Sequence, residues 1–407
     1  MPSTVILATL SSASAFSYRV CRRILFGGSF THMNESRSGA RSPYMEWAKL
    51  CSASRYNLAN SGMASLPLTE LGVTIEKLEI NGPGGYGYEP LLGAIAARYR
   101  VPRESVVSAI GTSMANYLAL AATTEPGDEV LIERAGYEPL VSTARYLGLD
   151  VAYFQRHADE GFAIDVAELE RQITARTRVI VITNLHNPSG AFCPYDTLRE
   201  IAALAQRRGI YVLVDEVYLE MLFESEPQTA FHLDPETFLI TNSLTKAYGL
   251  SGLRCGWVLA RPDLAQRMRH INDLHGVTFV HPGELLGVIA FEQLSEISAR
   301  MKRLLVQNRE LLRRFLDSRD DFDSFWPEYG TIAFPRLRRG DVDQLCELLR
   351  ARFDTSVVPG SFFGCPDHFR IGVGAATESV RDALTQLGTG LDRFAADNAK
   401  FAAAHVS

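Results

Sequence analysis

No apolar run in this 407-residue chain approaches the roughly 20 residues needed to cross a bilayer, which excludes a membrane-spanning helix and leaves no membrane partner expected. Cysteine is sparse and scattered: Cys21, Cys51, Cys193, Cys255, Cys346 and Cys365 form no C-x-x-C pair, so neither a zinc site nor a disulfide framework is expected and no metal is assigned. That usage fits a reducing, cytoplasmic compartment. Lys and Arg nowhere cluster with interleaved aromatics, and a net charge of −6 is mild for this length, so nucleic acid is not an expected partner. Internal repeats and low-complexity tracts are also missing. Residues 1–34 contain no Asp or Glu at all. They lack the basic-then-apolar order of a secretory signal, because the apolar stretch 5–10 precedes Arg19, Arg22 and Arg23. An organellar transit segment and a poorly ordered extension ahead of Met33 are the two readings left for them.

Hydrophobic residues make up 46% of the chain, enough for two cores, and the length exceeds what one core usually supports. From about Ala94 onward, strand-like and helical patterns alternate. Strands are expected at 106–110, 129–132, 151–154, 178–183, 210–214 and 237–242, with helices from about Ser113 and Pro139 and over 166–174 and 196–208. Strands that are apolar on both faces belong to a parallel sheet covered by helices. Helical patterns at 262–274 and 282–316, the second kinked or split near Glu296, then leave the sheet. Short strands at 330–334 and 369–373 between helices at 341–353 and 379–394 read as a smaller α+β unit.

Ligands of open parallel sheets sit beyond the carboxyl ends of the strands, and the residues there are unusually chemical. The first expected strand leads into Gly111-Thr112-Ser113, which offers a helix N-terminus to an anion or serves as a plain cap. Another leads into Asn187-Pro188-Ser189-Gly190, a turn whose asparagine presents a donor and an acceptor. A third ends in Asp215-Glu216-Val217-Tyr218, and an acid at the end of a buried strand calls for a cationic partner. The fourth is Ser243-Leu-Thr-Lys246-Ala-Tyr-Gly249-Leu-Ser-Gly252-Leu-Arg254, a lysine set among small residues rather than on a solvated charged face. A semi-buried amine has a lowered pKa and condenses with aldehydes, while Ser243 and Arg254 suit a phosphate.

Over roughly residues 56–391 this set resembles the fold-type I pyridoxal-phosphate enzymes of the class I and II aminotransferase family. The resemblance rests on S-x-x-K-x-x-G-x-x-x-x-R at Ser243, Lys246, Gly249 and Arg254, on N-P-[ST]-G at Asn187, and on D-x-x-Y at Asp215 and Tyr218. It implies an α/β fold with a mostly parallel seven-stranded sheet flanked by helices, plus a smaller α+β domain, as in aspartate aminotransferase. It implies pyridoxal 5'-phosphate joined to Lys246 as an aldimine, with Asp215 on the pyridinium nitrogen, and Asn187 and Tyr218 on the 3-hydroxyl. Gly111, Thr112, Ser113, Ser243 and Arg254 would surround the phosphate, and Tyr137 would stack on the ring. Arg370, in His368-Phe-Arg370-Ile, would hold the substrate α-carboxylate, with a backbone contact from Gly62; Asn187 would also touch substrate. The activity implied is ping-pong transfer of an amino group from an L-amino acid to a 2-oxo acid by a homodimer with shared sites. A β-eliminating carbon–sulfur lyase or a cyclase uses the same cofactor residues and is the alternative.

Chemistry asks for the same residues. A buried carboxylate keeps a pyridine nitrogen protonated, a freed lysine amine moves a proton at the substrate α-carbon, and a guanidinium fork fixes a carboxylate. The family pattern is broken at two places. A tyrosine that reaches the partner subunit's phosphate is expected near Gly82, leaving Tyr86 or Tyr88 to serve, and Leu92 stands where an arginine is usual. His186 reads as a buried, hydrogen-bonded histidine or a pocket residue, and His275 and His281 as pocket or surface residues. The expected units are an extension over 1–45, a segment over 46–75 packing with the small domain, a cofactor-binding domain over 76–280 and a small domain over 281–407.

Overall fold

A computed structural model of the chain describes residues 40–223 and 228–404; the expectations for residues 1–34 lie outside them. Seven strands form the central sheet: β1 (Val106–Ile110), β2 (Glu129–Arg134), β3 (Asp150–Gln155), β4 (Thr177–Thr183), β5 (Tyr211–Asp215), β6 (Phe238–Ser243) and β7 (Cys255–Leu259), in the order β1-β7-β6-β5-β4-β2-β3. β7 runs antiparallel to both of its neighbours and every other pairing is parallel. Val179, Ile180, Val181, Ile182, Val212, Leu213 and Val214 are fully buried, so their side chains fill cores on both faces of the sheet, as parallel strands require. The order reverses between β4 and β2, and the polar residues gather at the carboxyl ends of β4, β5 and β6.

The helices among the described residues are α1 (Pro43–Leu50), α2 (Glu89–Tyr99), α3 (Gly111–Thr123), α4 (Glu138–Tyr146), α5 (Val166–Gln172), α6 (Tyr195–Arg208), α7 (Pro262–Asp273), α8 (His281–Glu292), α9 (Leu294–Asp317), α10 (Val342–Phe353) and α11 (Thr377–Ala404). The long helical region splits at Gln293, three residues before the expected break at Glu296. The Gln293 side chain donates to Ile289 O at 3.2 Å and to Leu71 O at 3.0 Å, ending α8 and tying it to the early loop. The α8 helix packs on α2 and β7, while the second core is built from Leu312 and Leu316 of α9 with α10, α11, Phe369 and Ile371. The boundary expected between residues 280 and 281 therefore coincides with a helix held by the large sheet's own layer.

The segment after α1 zips the two cores together. Tyr56–Asn57 pair in parallel with Thr355–Ser356, Gly372 N donates to Leu58 O, and Met63 N donates to Lys246 O. A side chain at Gly372 or Gly374 would collide with the carbonyls of Asn60 and Gly62 at 1.9 and 2.0 Å, so only glycine permits this approach. Cys193, Cys255, Cys346 and Cys365 are free thiols. Cys51 is disulfide-bonded. No described helix is long and apolar enough to cross a membrane.

Candidate active site

The anion cradle forms where β1 turns into α3. Gly111 adopts φ +75°, and a Cβ there would meet Arg254 Nη2 at 2.3 Å, so glycine is what lets the guanidinium lie over the helix start. No side chain caps α3, which leaves its first N–H groups free for an external acceptor. Thr112 Oγ1 donates to Ser243 Oγ at 2.8 Å, drawing the end of β6 to the same spot. Arg254 donates to Ser251 O and Ile110 O at 3.3 and 3.2 Å, which aligns the guanidinium but supplies no negative charge. Gly256 in β7 belongs to this construction, because a Cβ there would press on Gly111 Cα at 2.7 Å. Ser113 is exposed in the first turn and makes no side-chain bond among the described residues.

Lys246 lies half-buried just beyond β6. Burial pulls its ammonium below the ordinary lysine range, with Arg370 and Arg254 adding to the effect and Asp215 opposing it. Asp215 ends β5 and is 3% exposed. Its Oδ2 accepts from Asn116 Nδ2 at 2.8 Å and its Oδ1 from Val217 N at 3.1 Å. Burial pushes this carboxyl up to about 6 despite both hydrogen bonds and the charge of Lys246. The cationic partner anticipated for Asp215 is thus not hydrogen-bonded to it by the chain; the site has a place for a positive N–H that a protonated pyridine ring fits. Asn116, in turn, accepts from Thr241 Oγ1 at 2.6 Å. It was missed in the sequence, although a polar residue on the buried face of an otherwise apolar helix is a readable signal.

Tyr218 Oη donates to Ser61 Oγ at 2.7 Å, and Lys246 Nζ reaches the same oxygen at 3.3 Å. Ser61, overlooked beside Gly62, therefore joins phenol and amine. Gly62 lies along the lysine stem, but its N–H donates to Asn60 Oδ1 at 3.1 Å, so the backbone donor expected to meet the substrate is engaged within the chain. Asn187 N is held by Thr183 Oγ1 at 2.9 Å, and Asn187 Oδ1 accepts from Arg370 Nη1 at 2.8 Å. Arg370 is fully buried, donates through Nη2 to Tyr44 Oη and Ala59 O at 2.9 and 3.0 Å, and keeps a buried Nε with no partner. Tyr137 opens α4 half-buried, its ring edge-on to Tyr44 with centroids 5.7 Å apart. Burial raises the Tyr137 phenol well above its ordinary range, with Tyr44, Tyr218 and Asp215 adding to the effect and Arg370 opposing it.

The departures from the motif pattern have physical causes. A Cβ on Gly82 would strike His281 Nδ1 at 2.3 Å, so the histidine ring fills the place of the expected tyrosine. Tyr88 packs edge-on against that ring at 4.8 Å, whereas Tyr86 is 41% exposed. Leu92 is wholly buried in the apolar core. His186 is a buried structural residue: Nδ1 pairs with Ser189 Oγ at 2.6 Å, Nε2 pairs with Ala135 O at 2.8 Å, and desolvation holds it well below its ordinary value. His275 is exposed, 3.0 Å from Tyr117 Oη.

A family model for aminotransferase class I and II matches residues 81–387. The chain is 31% identical over 316 residues to a capreomycidine synthase of Streptomyces vinaceus, covering 76% of this chain and 81% of that protein. It is 25% identical over 334 residues to an aspartate aminotransferase of Streptomyces avermitilis, covering 75% and 80%. A PLP-dependent aminotransferase from Streptococcus suis superposes with a TM-score of 0.82 at 25% identity, covering 87% of this chain and 98% of that one. Fold, site and sequence agree, and the chain belongs to the class I and II aminotransferase family of fold-type I pyridoxal-phosphate enzymes.

Proposed function

We propose that the protein binds pyridoxal 5'-phosphate through Lys246 and moves an amino group from an L-amino acid to a 2-oxo acid. The observation that carries this reading is the meeting, at four strand ends, of an uncapped helix N-terminus, a neutral-partnered carboxyl, a half-buried amine and a buried arginine. Gly111, Thr112, Ser113, Ser243 and Arg254 would hold the phosphate. Asp215 would keep a proton on the ring nitrogen, Asn187 Nδ2 and the Tyr218 phenol would meet the 3-hydroxyl, and Tyr137 would cover the ring face. When bound, the cofactor supplies an electron sink for the α-carbon. Lys246, as the free amine favoured by its burial, would carry the proton at that carbon, while Arg370, with Gly62 lying alongside the lysine, fixes the α-carboxylate.

A second copy of this chain is the partner we infer. Ile75, Ile80, Leu274, Val277 and Val280 are 59–82% exposed, and Tyr86, 41% exposed, would be the phenol that reaches a neighbouring phosphate. Light scattering on the purified protein should give twice the chain mass, and a monomer would refute this part.

The test of function is to incubate the cofactor-loaded protein with a panel of L-amino acids and 2-oxo acids and to identify the products. A new amino acid formed only with both partners, and lost in Lys246→Ala, is the expected result. A relative named a synthase keeps the second reading in view. Pyruvate and ammonia formed without an acceptor would favour elimination, and a cyclic product would favour ring closure.

A further inference from the structure

Helix α1 begins inside the stretch expected to be a loose extension, and it enters the pocket. Pro43 pre-sets the first turn, Ser42 Oγ caps it by accepting from Met45 N at 3.2 Å, and Ser42 Oγ also donates to the Glu138 carboxylate. The Ser42–Glu138 bond clamps the start of α1 to the start of α4, directly beside Tyr137. Tyr44 and Trp47, three residues apart, share one helix face and pack on Phe362 at 5.7 and 5.6 Å; Tyr44 also meets Phe363 at 5.9 Å. The helix thus bridges the sheet layer and the second core, and its register sets the Tyr44 phenol between the Tyr137 ring and Arg370.

The phenol is 93% buried by residue, 7% being exposed, and its oxygen accepts from Arg370 Nη2 at 2.9 Å. Its own proton has no acceptor among the described residues. A buried hydroxyl with an unspent donor, beside a guanidinium with an unpaired Nε, lacks only an anion. The nearest carboxylates are committed elsewhere: Asp215 to Asn116 and Val217 N, and Glu138 to Ser42 and Ser142.

We propose that Tyr44 is a second ligand of the substrate carboxylate, donating its phenolic proton to the oxygens that Arg370 holds, so that the first helix forms part of the substrate site. This rests on the reading of Arg370 given above. One charge-assisted hydrogen bond is worth about a tenfold change in affinity, and it is specific to the carboxylate. Tyr44→Phe keeps the ring packing on Phe362 and removes only the donor.

The experiment is calorimetric binding of pyruvate and of pyruvamide to cofactor-loaded wild type and Tyr44→Phe. It is paired with KM and kcat for whichever L-amino acid the wild type converts. Tyr44→Phe should weaken pyruvate about tenfold, leave pyruvamide within about twofold, and place its kinetic effect on KM rather than kcat. Equal binding of pyruvate by the two proteins overturns the proposal, and so does equal weakening of pyruvate and pyruvamide, which would make Tyr44 a packing residue. A wild type that binds pyruvate with this dependence on Tyr44 yet transfers no amino group would sink the proposed reaction and leave the Tyr44 assignment standing. Failure of the wild type to bind pyruvate at all overturns the Tyr44 assignment and leaves the proposed reaction to the substrate panel.

Discussion

Asp215 and Glu220 lie five residues apart, both buried, and are treated in opposite ways. Glu220 carries its cation with it: Arg98 Nη2 donates to Oε2, Tyr248 Oη to the same oxygen at 2.6 Å, and Tyr99 Oη to Oε1 at 2.6 Å. Asp215 is met only by an amide side chain and a backbone N–H. Glu220 is neutralised within the chain, whereas Asp215 accepts no hydrogen bond from a cation. For this pair, the difference fits a structural acid on one side and an acid placed for a ligand on the other.

The sharpest way to break that contrast is to neutralise each acid in turn. Asp215→Asn should cost about 10³-fold in kcat/KM, because an amide cannot hold a ring proton; a loss under about tenfold would remove Asp215 from the site. Glu220→Gln should leave Arg98 with an uncompensated charge and lower the unfolding free energy by about 3 kcal/mol in denaturant titrations, with little change in kcat. In the cofactor-free protein, Asp215→Asn should have the reverse sign. A carboxyl whose folded pKa is raised contributes stability that is complete below its unfolded value and lost as pH rises through the folded one. Wild type should therefore lose stability between about pH 4 and 6 on account of Asp215, and the variant should be more stable than wild type by about 3 kcal/mol at pH 7.5 and close to it at pH 4. Equal stability at both pH values would show that Asp215 is already compensated.

The smallest effect belongs to Asn116. Its hydrogen bond lowers the pKa of Asp215, so Asn116→Ala should raise that pKa and move the acid limb of cofactor binding to higher pH, with about a tenfold loss of affinity near pH 6. An unchanged pH profile would reduce Asn116 to packing.

Much of this site was legible because its residues follow the ends of apolar strands, where the sequence changes abruptly from Val and Ile to Asn, Asp and Lys. Six of the seven strands were legible as apolar runs, and four of them lead into site residues. Strand β7 was not legible: Cys255, Gly256 and Trp257 follow the lysine run so closely that they read as part of it, and its antiparallel pairing is a tertiary fact. The residues that escaped notice are those brought in from elsewhere. Asn116 comes from inside α3, Ser61 from the early segment, and Tyr44 from a helix that the unusual composition of residues 1–34 masked. Their placement depends on the zipper between residues 58–63 and 369–374, which no local pattern announces. The loss of a tyrosine at Gly82 became intelligible only with the His281 ring in view.

The central claim, that Lys246 is the amine that holds the cofactor, has a direct test because lysine is scarce in this chain. Apart from Lys246 there are only Lys49, Lys77, Lys302 and Lys400. Loading the protein with pyridoxal phosphate, reducing with borohydride and mapping the labelled peptide by mass spectrometry should place one phosphopyridoxyl group on Lys246, and none on the same peptide when a competing phosphate analogue of the cofactor is present. Label spread over the other four lysines, with Lys246 unmodified, would contradict the account.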